Sequence, residues 1–178
     1  MALKPTIYKF TISLSDINRN HYDTLNLTVA QHPSENPERM MARVMAYCLN
    51  AQESLTFTKG LSEPDVPDIW VRTLDDQVAL WIDVGEPAVE RIKKATRLAK
   101  EVRVYSFNPK SEVWWDQFRT KFAALPVDVF RFDADAIGRL AGLVQRTMNL
   151  SVTITGDSAF VATEDGECEL EWVALQTV

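Results

Sequence analysis

PDIWVRTLDDQVALWIDVGEPAVERIKK, residues 67–94, is the stretch on which the reading of the whole chain turns. DIWVRTL from Asp68 and VALWIDV from Val78 have the short, β-branched and aromatic composition of strands, and Asp75-Asp76-Gln77 between them reads as the turn. Pro87 then opens a helix with Ile92, Ala95, Leu98 and Ala99 as its apolar face. This places one carboxylate, Asp68, at the start of a strand and a second, Asp83, at the end of the next. Carboxylates at the ends of adjacent strands can share a hard divalent cation, Mg2+ or Mn2+, which supplies a nucleophilic hydroxide and steadies charge on a cleaved phosphodiester. A site of that kind normally carries a lysine two residues beyond the second acid, to orient water and offset phosphate charge. Here that residue is Gly85. Acids at strand ends that merely face water would explain the same two positions without any metal.

Working outward, Tyr8, Phe10, Ile12 and Leu14 alternate with polar residues, and so do Leu25, Leu27 and Val29, which predicts an antiparallel pair. HPSENPERMMARVMAYCLN from His32 offers Ser34 or Asn36 as a helix cap, Pro37 in the first turn, and Met41, Val44, Met45 and Cys48 at helical spacing. Those methionines read as core filler. LTFT from Leu55 is a further strand, VRVYSF from Val102 a buried one, and SEVWWDQFRTKFAAL with VDVFRF a second helix and strand. A helix from about Asp135 to Gln145 precedes three alternating runs near Leu150, Ala159 and Glu167, a meander expected to join the N-terminal pair. From the first long helix to VRVYSF the order is therefore αβββαβ.

With 178 residues, 46% of them hydrophobic, the chain suffices for one core and is read as a single domain over residues 1–178. No run approaches the about 18 apolar residues of a membrane span. Met1-Ala2-Leu3-Lys4 passes straight into alternating residues without an export signal, so the expectation is a cytoplasmic protein with no membrane contact. Cys48 and Cys168 are too few and too scattered for disulfides or a cysteine metal site. The net charge of −6 is unevenly spread: Arg91 to Lys110 holds seven basic residues and one acid, making that segment +6 and the remainder −12. A basic surface on an otherwise acidic protein can contact phosphates, and a solvated helix face has the same composition.

The αβββαβ order, with an acid opening its second strand and another closing its third, is the arrangement of the PD-(D/E)xK nuclease superfamily; the matching elements are Pro67-Asp68 and Asp83-Val84-Gly85. Over nearly its full length the chain also resembles the YaeQ family of small bacterial proteins. MALKPTIYKF, HPSENPERMMARVMAY, LTFTKGLSEPD, WIDVGEP, RIKKA, VYSFN, Trp114-Trp115 and RTMNL carry that resemblance. It implies a mixed α/β (α+β) sheet with a restriction-endonuclease-like αβββαβ core and an additional antiparallel sheet from the N- and C-terminal strands. It further implies Asp68 and Asp83 in the acidic positions of a degenerate nuclease motif, with a carboxylate from the first helix, Glu35 or more suitably Glu38, as a third metal ligand. Gly85 departs from the pattern, and a lysine of the following helix could fill the space, Lys94 before Lys93, with Arg91 a further cation. The catalytic candidates are thus Asp68, Asp83 and Lys94, the metal ligands Glu38, Asp68 and Asp83, and the nucleic-acid contacts Arg91, Lys93, Lys94 and Arg97. The expectations that follow are a metal-dependent nuclease or, alternatively, a non-catalytic module of the same fold that binds nucleic acid or a protein.

Other constellations are thin. His21 and His32 lie outside any metal-ligand spacing, and His32 before Pro33 reads as a turn residue. No serine or cysteine has a nucleophile's context, and no glycine-rich loop suits a phosphate. Trp114 and Trp115, about 100° apart on a helix, are expected to divide, one entering the core and the other covering a neighbour.

Overall fold

A computed structural model describes residues 4–178; Met1, Ala2 and Leu3, read above for an export signal, lie outside the described residues. Ten strands and four helices among those residues make a mixed α/β fold. The chain gathers into two compact units, one holding the residues up to Leu49 with Asp133–Trp172, the other Asn50–Phe132 with Val173–Val178.

In the first unit, β1 (Thr6–Asp16) and β2 (His21–Gln31) pair antiparallel with Phe10 opposite Leu27 and Ile12 opposite Leu25. The period of two sends Phe10, Ile12, Leu14, Leu25, Leu27 and Val29 into the core. Helix α1 (Pro37–Leu49) starts where Asn36, not Ser34, caps it: the Asn36 Oδ1 accepts from the Arg39 N–H at 2.9 Å, and Pro37 has no N–H to leave orphaned. Met40, Met41, Met45 and Cys48 are all fully buried, so the methionines are core. Burial pushes the Cys48 thiol up to about 12, which makes it inert. Helix α4 (Ala134–Ala141) is capped by the Asp133 carboxylate on the Ala136 N–H and packs against α1. It stops short of the expected Gln145 because Leu143 and Val144 bond back three residues, to Leu140 and Ala141, closing a tight turn.

The meander β8 (Thr147–Thr155), β9 (Ser158–Thr163) and β10 (Gly166–Gln176) is antiparallel throughout. Its junction with the N-terminal pair corrects the expectation of a purely antiparallel sheet. β1 runs parallel to β8, with Phe10 beside Met148, Ile12 beside Leu150 and Leu14 beside Val152. Alternation specifies which face of a strand is buried and is blind to strand direction, so either sense satisfies the same pattern.

The second unit orders its strands β3 (Leu55–Phe57), β4 (Ile69–Arg72), β5 (Val78–Val84), β6 (Ala99–Ser106) and β7 (Asp128–Phe132). β3, β4 and β5 are antiparallel; β5–β6 and β6–β7 are parallel. Parallel neighbours need crossovers, supplied by α2 (Val89–Leu98) and α3 (Ser111–Phe122). Trp81, Ile92, Ala95, Val102, Val104 and Phe122 form the heart of this core. Leu98, expected on the apolar face of α2, is 53% exposed, because the chain leaves the helix there and enters β6 at Ala99. Trp114 and Trp115 do not divide as expected either: both are half-buried and flank Phe122, with ring centroids 5.3 and 5.8 Å from it.

Candidate functional site

The site is built where β4 begins and β5 ends. The Asp68 N–H donates to the Ile82 carbonyl at 3.0 Å while Ile69 is the residue paired with Ile82 in the ladder, so the regular register ends at Ile69 and Asp68 sits just outside it, beside Ile82. The two carboxylates are close enough for the Asp68 charge to act on Asp83, and both are nearly out of water at 5% and 3% exposure. The Asp68 Oδ2 accepts from the Val84 N–H at 2.8 Å, which fastens this acid to the end of β5. Gly60 comes close on the other side: at φ +54 it takes a turn that L side chains rarely adopt, and a Cβ there would stand 3.4 Å from the Asp68 Oδ1.

Asp83 is held by Arg91 of α2. Nε donates to Oδ2 at 2.7 Å and Nη2 to Oδ1 at 3.2 Å, a two-pronged contact. The same guanidinium donates from Nη2 to the Val66 carbonyl at 2.8 Å and from Nη1 to the Pro64 carbonyl, and it lies over the Trp81 ring at 5.7 Å. At least four of its five N–H donors are thereby engaged. Burial pushes the Asp83 carboxyl above its ordinary value, and the Asp68 charge adds to this; the Arg91 hydrogen bonds and charge pull the other way without cancelling it.

The remaining predicted residues lie elsewhere. Lys94 makes a long, exposed ion pair with Asp65 at 3.9 Å, so the cation on the acid pair comes from Arg91 where Lys94 was the first choice. Helix geometry explains the exchange. Arg91 is four residues before the buried Ala95 and thus only about 40° round the helix from it, whereas Lys94 is about 160° from Ile92. Lys93, Lys94 and Arg97 are exposed along α2; Arg91 has turned inward. Arg103, another member of the basic segment, is engaged by Glu101 at 2.9 Å and Asp128 at 3.8 Å.

Glu38 stands half-buried in the first turn of α1, in the first unit. Glu35, the other helix candidate, is buried and gripped by arginines. Arg43 donates to its two oxygens at 2.8 and 2.6 Å, Arg39 donates at 2.6 Å, and Arg43 also reaches the Ala30 carbonyl at 3.0 Å. Nothing in the local sequence separates this clamp from a capping glutamate, because its partner is eight residues away. His32 behaves as a turn residue, its Nδ1 accepting from the Ser34 N–H at 3.0 Å.

Among the described residues, no three His, Cys, Asp or Glu side chains gather as a set able to hold a metal ion. The donors at Asp68 and Asp83 suit a guanidinium: one carboxylate is bridged on both oxygens and the other takes a backbone N–H. No helix among those residues is long and apolar enough to cross a membrane. A groove of about 500 Å³ at the end of α2 is lined by Trp70, Trp81, Arg97 and Lys100 together with Asp65 and Asp76.

Comparison with known proteins agrees along the whole chain. A family model described as YaeQ protein matches residues 1–172. The YaeQ protein of Escherichia coli (strain K12), which carries the description uncharacterized, is 38% identical over 180 residues, covering 99% of this chain and 98% of that one. The crystal structure of YaeQ protein from Xanthomonas axonopodis pv. citri superposes with a TM-score of 0.95 at 32% identity, covering 98% of this chain and 99% of the other. That of YaeQ protein from Pseudomonas syringae gives 0.93 at 31% identity, covering 98% and 97%.

Proposed function

The chain belongs to the YaeQ family, and we propose that it is a non-catalytic variant of the PD-(D/E)xK nuclease fold that binds nucleic acid through α2. The observation that carries this reading is the occupation of Asp83. A hydrolytic metal would need at least one of its two oxygens, and both already accept from Arg91. The chain order α1, β3, β4, β5, α2, β6, with Asp68 before β4 and Asp83 near the end of β5, supports a restriction-endonuclease-like core. Gly85 supports the loss of chemistry. It sits at φ +118, beyond the last residue of β5, and its N–H donates to the Tyr105 carbonyl at 2.8 Å. A lysine at that position would meet backbone strain.

What survives on this reading is a basic face, Lys93, Lys94 and Arg97, that contacts phosphates without reading bases. Affinity for a labelled single- or double-stranded oligonucleotide should fall steeply between 50 and 200 mM salt, and charge reversal at Lys93, Lys94 and Arg97 should weaken it further. Binding absent at low salt, or indifferent to those three changes, overturns the proposal.

One observation favours the second reading, metal-dependent phosphodiester hydrolysis. Asp68 and Asp83 are buried within electrostatic reach of one another although two buried acids repel. On that reading Asp68 and Asp83 alone would hold Mg2+ or Mn2+. Cleavage of DNA or RNA with Mg2+ or Mn2+ that disappears in Asp83→Asn would establish it. Cleavage that survives Asp83→Asn comes from a contaminant.

A further inference from the structure

We propose that the Asp68–Asp83 centre is a cation site whose resident cation is the Arg91 guanidinium, and that this guanidinium latches the Thr58–Pro67 segment to β5 and α2. Three sets of contacts meet at one planar group: both oxygens of Asp83 on β5, the carbonyls of Pro64 and Val66 in the segment, and the Trp81 ring. The segment has little else of regular structure, a single turn of 3-10 helix at Gly60–Ser62. Its ends are fixed separately: Thr58 donates from its N–H to the Asp68 carbonyl at 3.0 Å and from its hydroxyl to the Pro67 carbonyl, and the Gly60 N–H donates to the Thr58 hydroxyl at 2.8 Å. Between those ends, Arg91 supplies the ties at residues 64 and 66.

A guanidinium does here what a hard cation does elsewhere. It satisfies carboxylate oxygens and backbone carbonyls together, the same ligand types that calcium and magnesium take. It differs in being covalently attached, so it needs no ligand from solution and cannot be chelated away. Removing it leaves two buried aspartates beside two carbonyl oxygens, an all-oxygen set for which a hard divalent cation is the fitting occupant. This holds whatever α2 binds.

The test uses the full chain and four proteins: the unmodified form, Arg91→Ala, Arg91→Lys, and Arg91→Ala with Asp83→Asn. Hydrogen exchange of residues 58–67 and Tm are measured with chelator, with Mg2+, Mn2+ or Ca2+, and with low-millimolar guanidinium chloride against KCl at equal ionic strength. The expected result is an unmodified protein whose Tm and exchange ignore divalent ions and chelator. Arg91→Ala should lose protection at least tenfold across 62–66, regain it with guanidinium but not with KCl, and gain Tm with a divalent ion. Adding Asp83→Asn should abolish both responses. If Arg91→Ala does not fold, Arg91→Lys carries the test: it keeps the charge, lacks the two-pronged contact, and should lose protection in the same segment. Protection unchanged in either variant overturns the latch. A divalent response in the unmodified protein that Asp83→Asn removes overturns the resident cation.

Discussion

Two of the buried acid–arginine centres among the described residues, one in each unit, are organised in opposite ways. In the first, one acid, Glu35, is shared by two arginines, Arg39 and Arg43, all on or next to α1. In the second, two acids, Asp68 and Asp83, lie beside one arginine that also serves two backbone carbonyls. The arginine side chains are 6% exposed for Arg43 and 33% for Arg91. A carboxylate with arginines to spare, closed from water, is a fixed strut. An acid whose neighbour is another acid, with its arginine at the water's edge, is a place where charge can be exchanged. Location of function follows from that contrast better than from the presence of acids alone.

The largest expected effect tests the strut. Arg43→Ala leaves Glu35 buried with half its grip and should cost about 3 to 5 kcal/mol in chemical denaturation. Arg91→Ala should cost about 1 to 3 kcal/mol, because water can reach the vacated edge and solvate what remains. Equal losses would erase the distinction between the two centres. Next comes Gly85→Lys, which should lose about 1 to 2 kcal/mol from the strain of a side chain at φ +118 and should not restore what Arg91→Ala removes. Recovery of stability in that double variant would show that the strand position still accepts the cation.

The pH dependence of Asp83 sharpens the contrast. Its folded-state value lies above the ordinary 3.8, so at neutral pH its ionised form costs stability, and as pH falls through the folded value the folded protein takes up the proton first. The Tm of the unmodified protein relative to Asp83→Asn should therefore rise as pH is lowered from neutral towards 3.8. A difference that is flat, or that shrinks over this window, contradicts the second centre's character. Smallest of all is Lys94→Ala: its pairing with Asp65 is exposed on both sides, and thermal unfolding should not register the change.

Most of the secondary structure was readable because the chain alternates cleanly, as at Phe10, Ile12 and Leu14 or Leu150, Val152 and Ile154, and because Asn36-Pro37 punctuates α1. Periodicity also brought Asp68 and Asp83 to one locality. The parallel sense of β1 and β8 was unreadable, since both senses bury the same residues. The partners of Arg91 and Glu35 were equally hidden. The Arg91–Asp83 and Arg43–Glu35 contacts each span eight residues and depend on how a helix is rotated against its surroundings, and a sequence lists charged residues without saying which way the helix turns them.

The first unit is interrupted in the chain: β1 finds its parallel neighbour only in β8, nearly 140 residues later by the Phe10–Met148 pairing. On a ribosome, residues 50–132 can collapse on one another while β1 still waits with one edge unpaired, because the strand that covers it has not yet been synthesised. The hairpin made first is thus the part of the molecule finished last, and its bare edge during translation is where a chaperone, or a misplaced strand from another nascent chain, would find it.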